Sequence, residues 1–200
     1  MMRALVVTVV SLVAMQAASA AQMRSVVVDY EDGYYTMVSE VWFDATVGQV
    51  FEVFKTWDLS TEFSSAIVEA SDEKADDQGR PQYHIKHRGC VLFFCLSFER
   101  NGYVELEKNE VLRAFADPER SDFDKADEVW TFKPEDGGTV VKYHLYMKPK
   151  FWVPPGIGPW AIKRKLKNDG GDAIDRIEVI AQRVGKEPGT TIDEGGIAVD

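Results

Sequence analysis

The sequence is poor in the residues that build metal sites and catalytic sites. It has two cysteines and three histidines in 200 residues, and the cysteines are not in a CxxC spacing. His84 and His87 would point to opposite faces of a strand, so they cannot share a metal ion without a bend. The nucleophile elbow, the HExxH helix, the P-loop and the dinucleotide fingerprint are all missing. We therefore expect no metal, no cofactor and no catalytic residue.

Basic residues are also few. The chain has 23 Lys and Arg against 33 Asp and Glu, which gives a formal net charge of −10. Such a chain repels nucleic-acid phosphates, so we expect no nucleic-acid partner. Two acidic groups lack the spacing of a calcium loop and are predicted to be solvated turns. They are Asp72, Glu73, Asp76 and Asp77, and Asp122, Asp124, Asp127 and Glu128.

Long apolar runs are confined to the N-terminus. Arg3 precedes an apolar run, and Ala18-Ser19-Ala20 supplies the small residues that a signal peptidase needs. We predict a signal peptide at 1–20, cleaved after about Ala20, and a periplasmic or secreted protein. The run is short for a membrane span, which needs about 20 residues. An uncleaved anchor is the alternative.

In the rest of the chain, the spacing of apolar residues predicts first a strand and two helices and then a series of strands. Residues 34–43 are β-branched and aromatic and predict a strand. Thr46 and Gln49 form a capping box that begins a helix, and a second short helix is predicted at 60–66. From residue 67 the period is two, with hairpin turns at 77–79 and 135–138. The six strands predicted there are IVEASDEK, PQYHIKHR, LSFERNGYVELEK, VLRAFADPER, EVWTFKPE and TVVKYHLYMK.

A last helix follows the strands. It has Pro159 in its first turn and runs to about Arg183. Gly170 and Gly171 interrupt its pattern, which leaves a kink, room for a ligand or a break in the helix as alternatives. Its predicted buried stripe is Ile162, Leu166, Ala173, Ile177 and Ile180.

This order predicts an α+β fold in which a curved antiparallel sheet wraps around the long helix. The sequence here resembles the START-like superfamily (SRPBCC, polyketide cyclase/coenzyme-Q-binding), which has a helix-grip fold. The resemblance covers roughly 34–183. It is carried by ATVGQVFEVFKTWDLSTEF, ADEVWTF and GGTVVKYHLYMKPKFWVPPGIGPWAIKRKL. We place the domain at 21–184, before a disordered, Gly-rich tail at 185–200.

The resemblance implies a cavity for a hydrophobic ligand between sheet and helix. Alternating apolar and aromatic residues mark the strand faces that would line it. Plain core packing explains such residues as well. The predicted lining is Tyr83, Ile85, His87, Trp130, Phe132, Val141, Tyr143, Leu145 and Met147.

The segment 151–167 combines aromatic, proline and basic residues. Tryptophan beside basic residues is typical of contact with a membrane interface. In the alternative, Trp152 and Trp160 cap the core and the lysines form a solvated helix face. The residues expected at a cavity mouth or membrane contact are Phe151, Trp152, Pro154, Trp160, Lys163 and Lys165.

Cys90 and Cys95 bracket four apolar residues. In a straight strand their Cα atoms would be about 16 Å apart, whereas a disulfide needs less than about 7 Å. Export to an oxidising compartment favours pairing, and the meander needs a reversal of direction here. We expect a hairpin pinned by a Cys90–Cys95 disulfide, with free cysteines in a bulged strand as the alternative.

The predicted function is the binding of a hydrophobic small molecule that is a lipid, sterol-like or quinone-like. Transfer of this ligand is an extension of the same prediction. We expect a monomer that contacts a membrane transiently if it carries its ligand. One alternative is a cyclase or dehydratase with Tyr143 or His87 as the acid–base residue. Another is an interaction module whose pocket is filled by its own side chains.

Overall fold

The computed structural model describes residues 20–91, 94–153 and 157–185. The predicted signal peptide and tail lie outside these ranges, except for Ala20 and Gly185, and stay predictions. The strands are β1 (Gln22–Glu31), β2 (Tyr34–Phe43), β3 (Ile67–Glu73), β4 (Gln82–Val91), β5 (Phe94–Glu107), β6 (Val111–Ala116), β7 (Phe123–Glu135) and β8 (Gly138–Pro149). The helices are α1 (Val47–Lys55), α2 (Ser60–Phe63) and α3 (Ile157–Val184), with a 3-10 turn at Trp57–Leu59.

The described strands form one antiparallel sheet in the order β1-β2-β8-β7-β6-β5-β4-β3. The predicted α+β fold and the meander are therefore confirmed. β1 was not predicted. It joins β2 through Asp32-Gly33, and β7 joins β8 through Asp136-Gly137. All four turn residues have positive φ, as a two-residue hairpin requires, and Asp-Gly adopts that conformation readily.

The predicted capping box begins α1. The Thr46 backbone N–H donates to Gln49 Oε1 at 2.9 Å, and the Gln49 N–H donates to Thr46 Oγ1. The helix packs Phe51 and Phe54 edge-on against Phe132 of β7, with ring centroids 5.2 and 5.6 Å apart. α2 ends at Phe63, earlier than the predicted residue 66.

Helix α3 is continuous through Gly170 and Gly171, so of the three alternatives for the glycine pair a break in the helix is wrong. Its C-terminal half is fixed by hydrogen bonds to the loop after β2. Asp44 N–H donates to the buried Glu178 carboxylate at 2.7 Å, and the Gln182 side chain donates to Asp44 O at 2.9 Å.

The β4–β5 hairpin carries the disulfide. Cys90 and Cys95 are directly opposite each other in the register, and their sulfur atoms are 2.01 Å apart. Both residues are exposed. The disulfide-pinned hairpin is confirmed, and the alternative with free cysteines is wrong. Residues 92–93 between the paired ends lie outside the described ranges.

The core consists of two apolar clusters at opposite ends of the inner sheet face. The α1 cluster surrounds α1 and the C-terminal half of α3, and it includes Val50, Phe51, Val104, Phe132, Val141 and Ile177. The Phe123 cluster lies toward the start of α3. Its buried members are Val28, Tyr35, Met37, Phe123, Ala126, Leu145 and Met147, with Phe98, Phe151, Ile162 and Leu166 packed against them.

Candidate ligand-binding site

A band of polar side chains separates the two clusters. On β5, Arg100 lies between Phe98 of one cluster and Val104 of the other. The same alternation places Glu128 of β7 between Ala126 and Phe132. Period two in a strand puts all of these side chains on one face. We call Tyr83, His87, Arg100, Glu128 and Tyr143 the polar band.

Arg100 and Glu128 form an ion pair inside the sheet. Arg100 Nη2 is 2.6 Å from Glu128 Oε2, and both residues are buried. The Tyr143 hydroxyl donates to Glu128 Oε1 at 2.5 Å. A buried charge pair is tolerated only when its partners and hydrogen bonds are well placed.

The electrostatics of the band keep Tyr143 protonated and Arg100 charged. Burial raises the pKa of the Tyr143 hydroxyl well above its usual value, and the Glu128 carboxylate raises it further, against a smaller effect of Arg100. For Arg100, burial is the largest single effect and lowers the pKa, but the charge of Glu128, the nearby tyrosines and the hydrogen bond to Glu128 together outweigh it, so that the pKa is raised overall.

Several buried polar atoms of this region have no hydrogen-bond partner in the described part of the chain. They are Tyr83 Oη, His87 Nδ1, Arg100 Nε and Trp57 Nε1. Oε2 of Glu128 meets Arg100 at ion-pair distance but without a well-aligned hydrogen bond. An unpartnered buried polar group costs about 1–3 kcal/mol. Four such atoms in and beside one ion pair need an explanation, and the Tyr35 hydroxyl in the Phe123 cluster is a further unpartnered atom of the interior.

His87 is a third group of the band with a shifted pKa. Its ring stacks on Phe98 at 4.9 Å, and burial, with Arg100 as a second cause, lowers its pKa to about 3. His87 is therefore neutral at pH 7. His84 lies on the opposite face, where Nδ1 is 2.7 Å from Asn101 Oδ1. In the described residues no group of His, Cys, Asp and Glu has the arrangement of a metal site.

Aromatic rings frame the band on the side of the α1 cluster. Trp57 stacks on Tyr83 with centroids 4.2 Å apart, and Trp130 stacks on Tyr143 at 5.1 Å. Trp57 and Trp130 meet edge to face at 6.4 Å. The 3-10 turn after α1 positions Trp57 for these contacts, because α1 ends at Lys55.

The nine residues predicted to line a cavity all lie on the inner face of the sheet. Tyr83, Ile85, Phe132, Val141, Leu145 and Met147 are buried. His87, Trp130 and Tyr143 point inward and yet are only half-buried. That these residues line a ligand cavity stays a prediction.

Two residues of the band, Arg100 and Glu128, were not predicted as site residues. Glu128 was expected in a solvated turn, and that prediction is wrong because Glu128 is buried on β7. The signal was present in the sequence: Glu128 is two residues from the inward-facing Trp130, and Arg100 is two residues from Phe98.

The residues predicted at the cavity mouth or membrane contact differ in burial. Phe151 is half-buried and packs against Phe98 and Phe123, with ring centroids 5.5 and 5.9 Å apart, and its place at the mouth or in a membrane contact stays a prediction. Trp152 and Trp160 are 74% and 56% exposed, so they do not cap the core. Pro154 lies outside the described residues, and the roles of Lys163 and Lys165 stay predictions.

A groove of about 950 Å³ lies elsewhere, on the outer face. Its lining side chains, among them Tyr103 and Phe115, alternate along the strands with side chains that face inward. Three of its four basic residues are paired: Arg80 with Asp76, Arg120 with Asp117, and Lys125 with Asp127. Among the described residues, the buried polar atoms without a partner lie in the interior and not in this groove.

Comparison with known proteins identifies the fold. No family model matches the sequence, and no curated protein matches it. Solved structures do match. A STAR-related lipid transfer protein (fragment 25–204) from Xanthomonas axonopodis has a TM-score of 0.61 and 14% identity over 82% of this chain and 99% of its own. A START superfamily protein from Mycobacterium smegmatis has a TM-score of 0.58 and 14% identity over 74% and 98%.

A third structure is an aromatase/cyclase from Streptomyces, with a TM-score of 0.59 and 10% identity over 78% of this chain and 98% of its own. The three matches extend over nearly the whole length of the matched chains, at 98% or 99%. At these identities the likeness establishes the fold. The protein therefore has the helix-grip fold, and the solved structures that it resembles are START-like proteins.

Proposed function

We propose that the protein binds an apolar small molecule between the sheet and α3, with an oxygen-bearing end of the molecule held by the polar band. The observation that carries the proposal is the set of buried, unpartnered polar atoms around Arg100 and Glu128. A site with a few convergent polar groups on apolar walls is typical of small-molecule binding.

The unpartnered atoms indicate the chemistry of the ligand. Arg100 Nε and Trp57 Nε1 can only donate, and Tyr83 Oη has a hydroxyl hydrogen to donate. Donors therefore predominate, and a ligand oxygen that accepts hydrogen bonds would satisfy them. A carbonyl or hydroxyl on an otherwise apolar skeleton fits, which covers lipid, sterol-like and quinone-like molecules.

Partial exposure of the inward-facing side chains supports the proposal. His87, Trp130 and Tyr143 keep accessible surface although they face the interior. The lipid transfer protein and the aromatase/cyclase with the same fold are consistent with an apolar ligand. We extend the proposal to transfer of the ligand by a monomer that contacts membranes transiently and that works in the periplasm or outside the cell.

A matched pair of ligands tests the proposal. Menadione is an apolar naphthoquinone with two carbonyl oxygens, and methylnaphthalene is a similar ring system without them. Equilibrium dialysis of each against the purified protein measures affinity. We expect menadione to bind about tenfold more tightly, since a hydrogen bond to a charged group contributes about 1.5 kcal/mol.

The control is Tyr83→Phe, which keeps the ring that stacks on Trp57 and removes the hydroxyl. Its preference for menadione should fall while its affinity for methylnaphthalene stays the same. Binding of neither compound to the wild-type protein would contradict the proposal and favour an interior filled by its own side chains.

A second candidate function is an enzyme of the cyclase or dehydratase type. The observation that favours it is the hydrogen bond from Tyr143 to Glu128, which joins a hydroxyl donor to a carboxylate inside the site. Mass spectrometry of a linear polyketone with alternating carbonyl and CH2 groups, which can close by an aldol addition and then lose water, separates the two. Unchanged masses support binding alone, and a loss of water that Tyr143→Phe abolishes supports the enzyme.

A further inference from the structure

The segment 151–167 differs in charge from the rest of the chain. It has four basic residues, Lys163, Arg164, Lys165 and Lys167, and neither aspartate nor glutamate, within a chain of net charge −10. A local positive charge of this kind attracts an anionic surface at short range even when the whole protein repels it.

Helix α3 presents part of this charge on one exposed stripe. Trp160, Arg164 and Lys167 follow each other at intervals of four and three residues, which places them on the same side of a helix, and all three are exposed. The Arg164 guanidinium lies 5.6 Å from the centre of the Trp160 ring. Further along the helix the exposed charges are mixed, since the exposed Asp175 is followed by the exposed Arg176.

The opposite side of the same turns is fixed to the core. Ile162 and Leu166 pack against the Phe123 cluster, and so does Phe151. The residue after Phe151 is Trp152, the most exposed of the large apolar side chains in the described ranges. Both exposed tryptophans are therefore next to residues anchored in one cluster, which places them at the same end of the molecule.

We infer that Trp152 and the stripe Trp160–Arg164–Lys167 form a docking surface for an anionic lipid bilayer. Tryptophan rings favour the headgroup region, and the basic side chains favour anionic lipids. The four residues fit an interfacial contact rather than a membrane span, and no described helix has the length and apolarity to cross a bilayer. The inference rests on the proposed function for its purpose, because a carrier must collect its ligand from a membrane or deliver it there.

Vesicle sedimentation tests the surface without any ligand. The protein is mixed with vesicles of phosphatidylglycerol and phosphatidylcholine, or of phosphatidylcholine alone, at low and at high ionic strength. We expect binding to the anionic vesicles at low salt and release at high salt. Each basic residue at such a surface contributes about fivefold in affinity, so Arg164→Glu with Lys167→Glu should weaken binding by at least about 25-fold.

Matched controls distinguish the effect of the stripe on vesicle binding from a general effect of net charge or of exposed apolar surface. Lys108→Glu with Lys133→Glu makes the same change in net charge at exposed sites of the sheet and should leave binding nearly unchanged. Val179→Ala removes a 66% exposed apolar side chain from the same helix and serves as the control for Trp160→Ala.

Three results would overturn the inference. They are no binding of the wild type to anionic vesicles at low salt, equal binding to neutral vesicles, and equal loss of binding in the stripe and control variants. A protein that binds menadione but ignores anionic vesicles would leave the proposed function standing and remove the docking surface. A protein that binds anionic vesicles but no apolar ligand would leave the docking surface standing and remove the proposed function.

Discussion

At the scale of single residues, the ion pair of Arg100 and Glu128 has an energetic cost that folding alone does not explain. Removing two charges from water costs several kcal/mol, and apolar replacements of similar volume are often neutral or stabilising. The α1 and Phe123 clusters could have met without a polar band. We interpret the band as stability given up for ligand recognition.

A thermodynamic cycle tests this interpretation of the ion pair. In a Tyr143→Phe background, which removes the hydroxyl that Glu128 accepts, Arg100→Met alone should destabilise the protein by about 3–5 kcal/mol, because it leaves Glu128 buried without a counter-charge. Adding Glu128→Leu should restore most of this loss. Urea unfolding gives the free energies.

The same variants also test ligand binding. The variant with both changes should be as stable as its background and should still have lost the preference for menadione over methylnaphthalene. A cost below about 1 kcal/mol for Arg100→Met alone would mean that Glu128 is solvated or protonated, and it would remove the basis of the polar band.

The residues of the band show where sequence reasoning succeeded and where it did not. Alternation placed Tyr83, His87 and Tyr143 on the inner face, as the structure confirms. The same alternation applies to Arg100 and Glu128. They were missed because charged residues are usually exposed, and that general tendency was given more weight than the period of the strand.

At the scale of elements, α3 combines a rigid C-terminal half with a glycine pair at its centre. Hydrogen bonds from Asp44 and Gln182 fix the end of the helix, whereas Gly170 and Gly171 each lower helix stability by about 1 kcal/mol relative to alanine. The two glycines differ in surroundings. A Cβ on Gly170 would meet the Met37 methyl at 3.2 Å, and a Cβ on Gly171 would meet no atom within 4 Å.

Substitution of the glycines should therefore separate packing from helix propensity. Gly171→Ala should raise the free energy of unfolding by about 1 kcal/mol, since it gains propensity at no steric cost. Gly170→Ala should gain less, because Met37 must move. Thermal or urea unfolding measures both. A destabilising Gly171→Ala would show that the helix does not continue through this point in solution.

The elements also show the limits of local patterns. The capping box, the hairpin turn before β8 and the start of α3 were predictable, since each depends on a few neighbouring residues. β1 was missed although Asp32-Gly33 is a strong hairpin signal, because the resemblance to the superfamily covered only residues from 34 onward. The continuity of α3 depends on contacts with the sheet that propensity does not contain.

At the scale of the whole molecule, the two ends of the interior differ in their surroundings. The α1 cluster and the hydrogen bonds of α3 hold one end of the sheet to the helix. The other end carries the Phe123 cluster, the exposed tryptophans and the basic stripe. A ligand that enters beside the start of α3 would reach the polar band with its oxygen-bearing end first. Sequence patterns predicted the sheet and the helix, but the division into two clusters arises only from the register of all eight strands.

The most direct measurement of the central claim is organic extraction of the purified protein followed by mass spectrometry. The account predicts that the wild type carries an apolar molecule with a carbonyl or hydroxyl group, in an amount comparable to the protein. It also predicts that adding Arg100→Met and Glu128→Leu to the Tyr143→Phe variant, which should leave its stability nearly unchanged, reduces the amount carried to less than about a tenth. A wild-type protein that yields no such molecule and binds neither menadione nor methylnaphthalene would contradict the account.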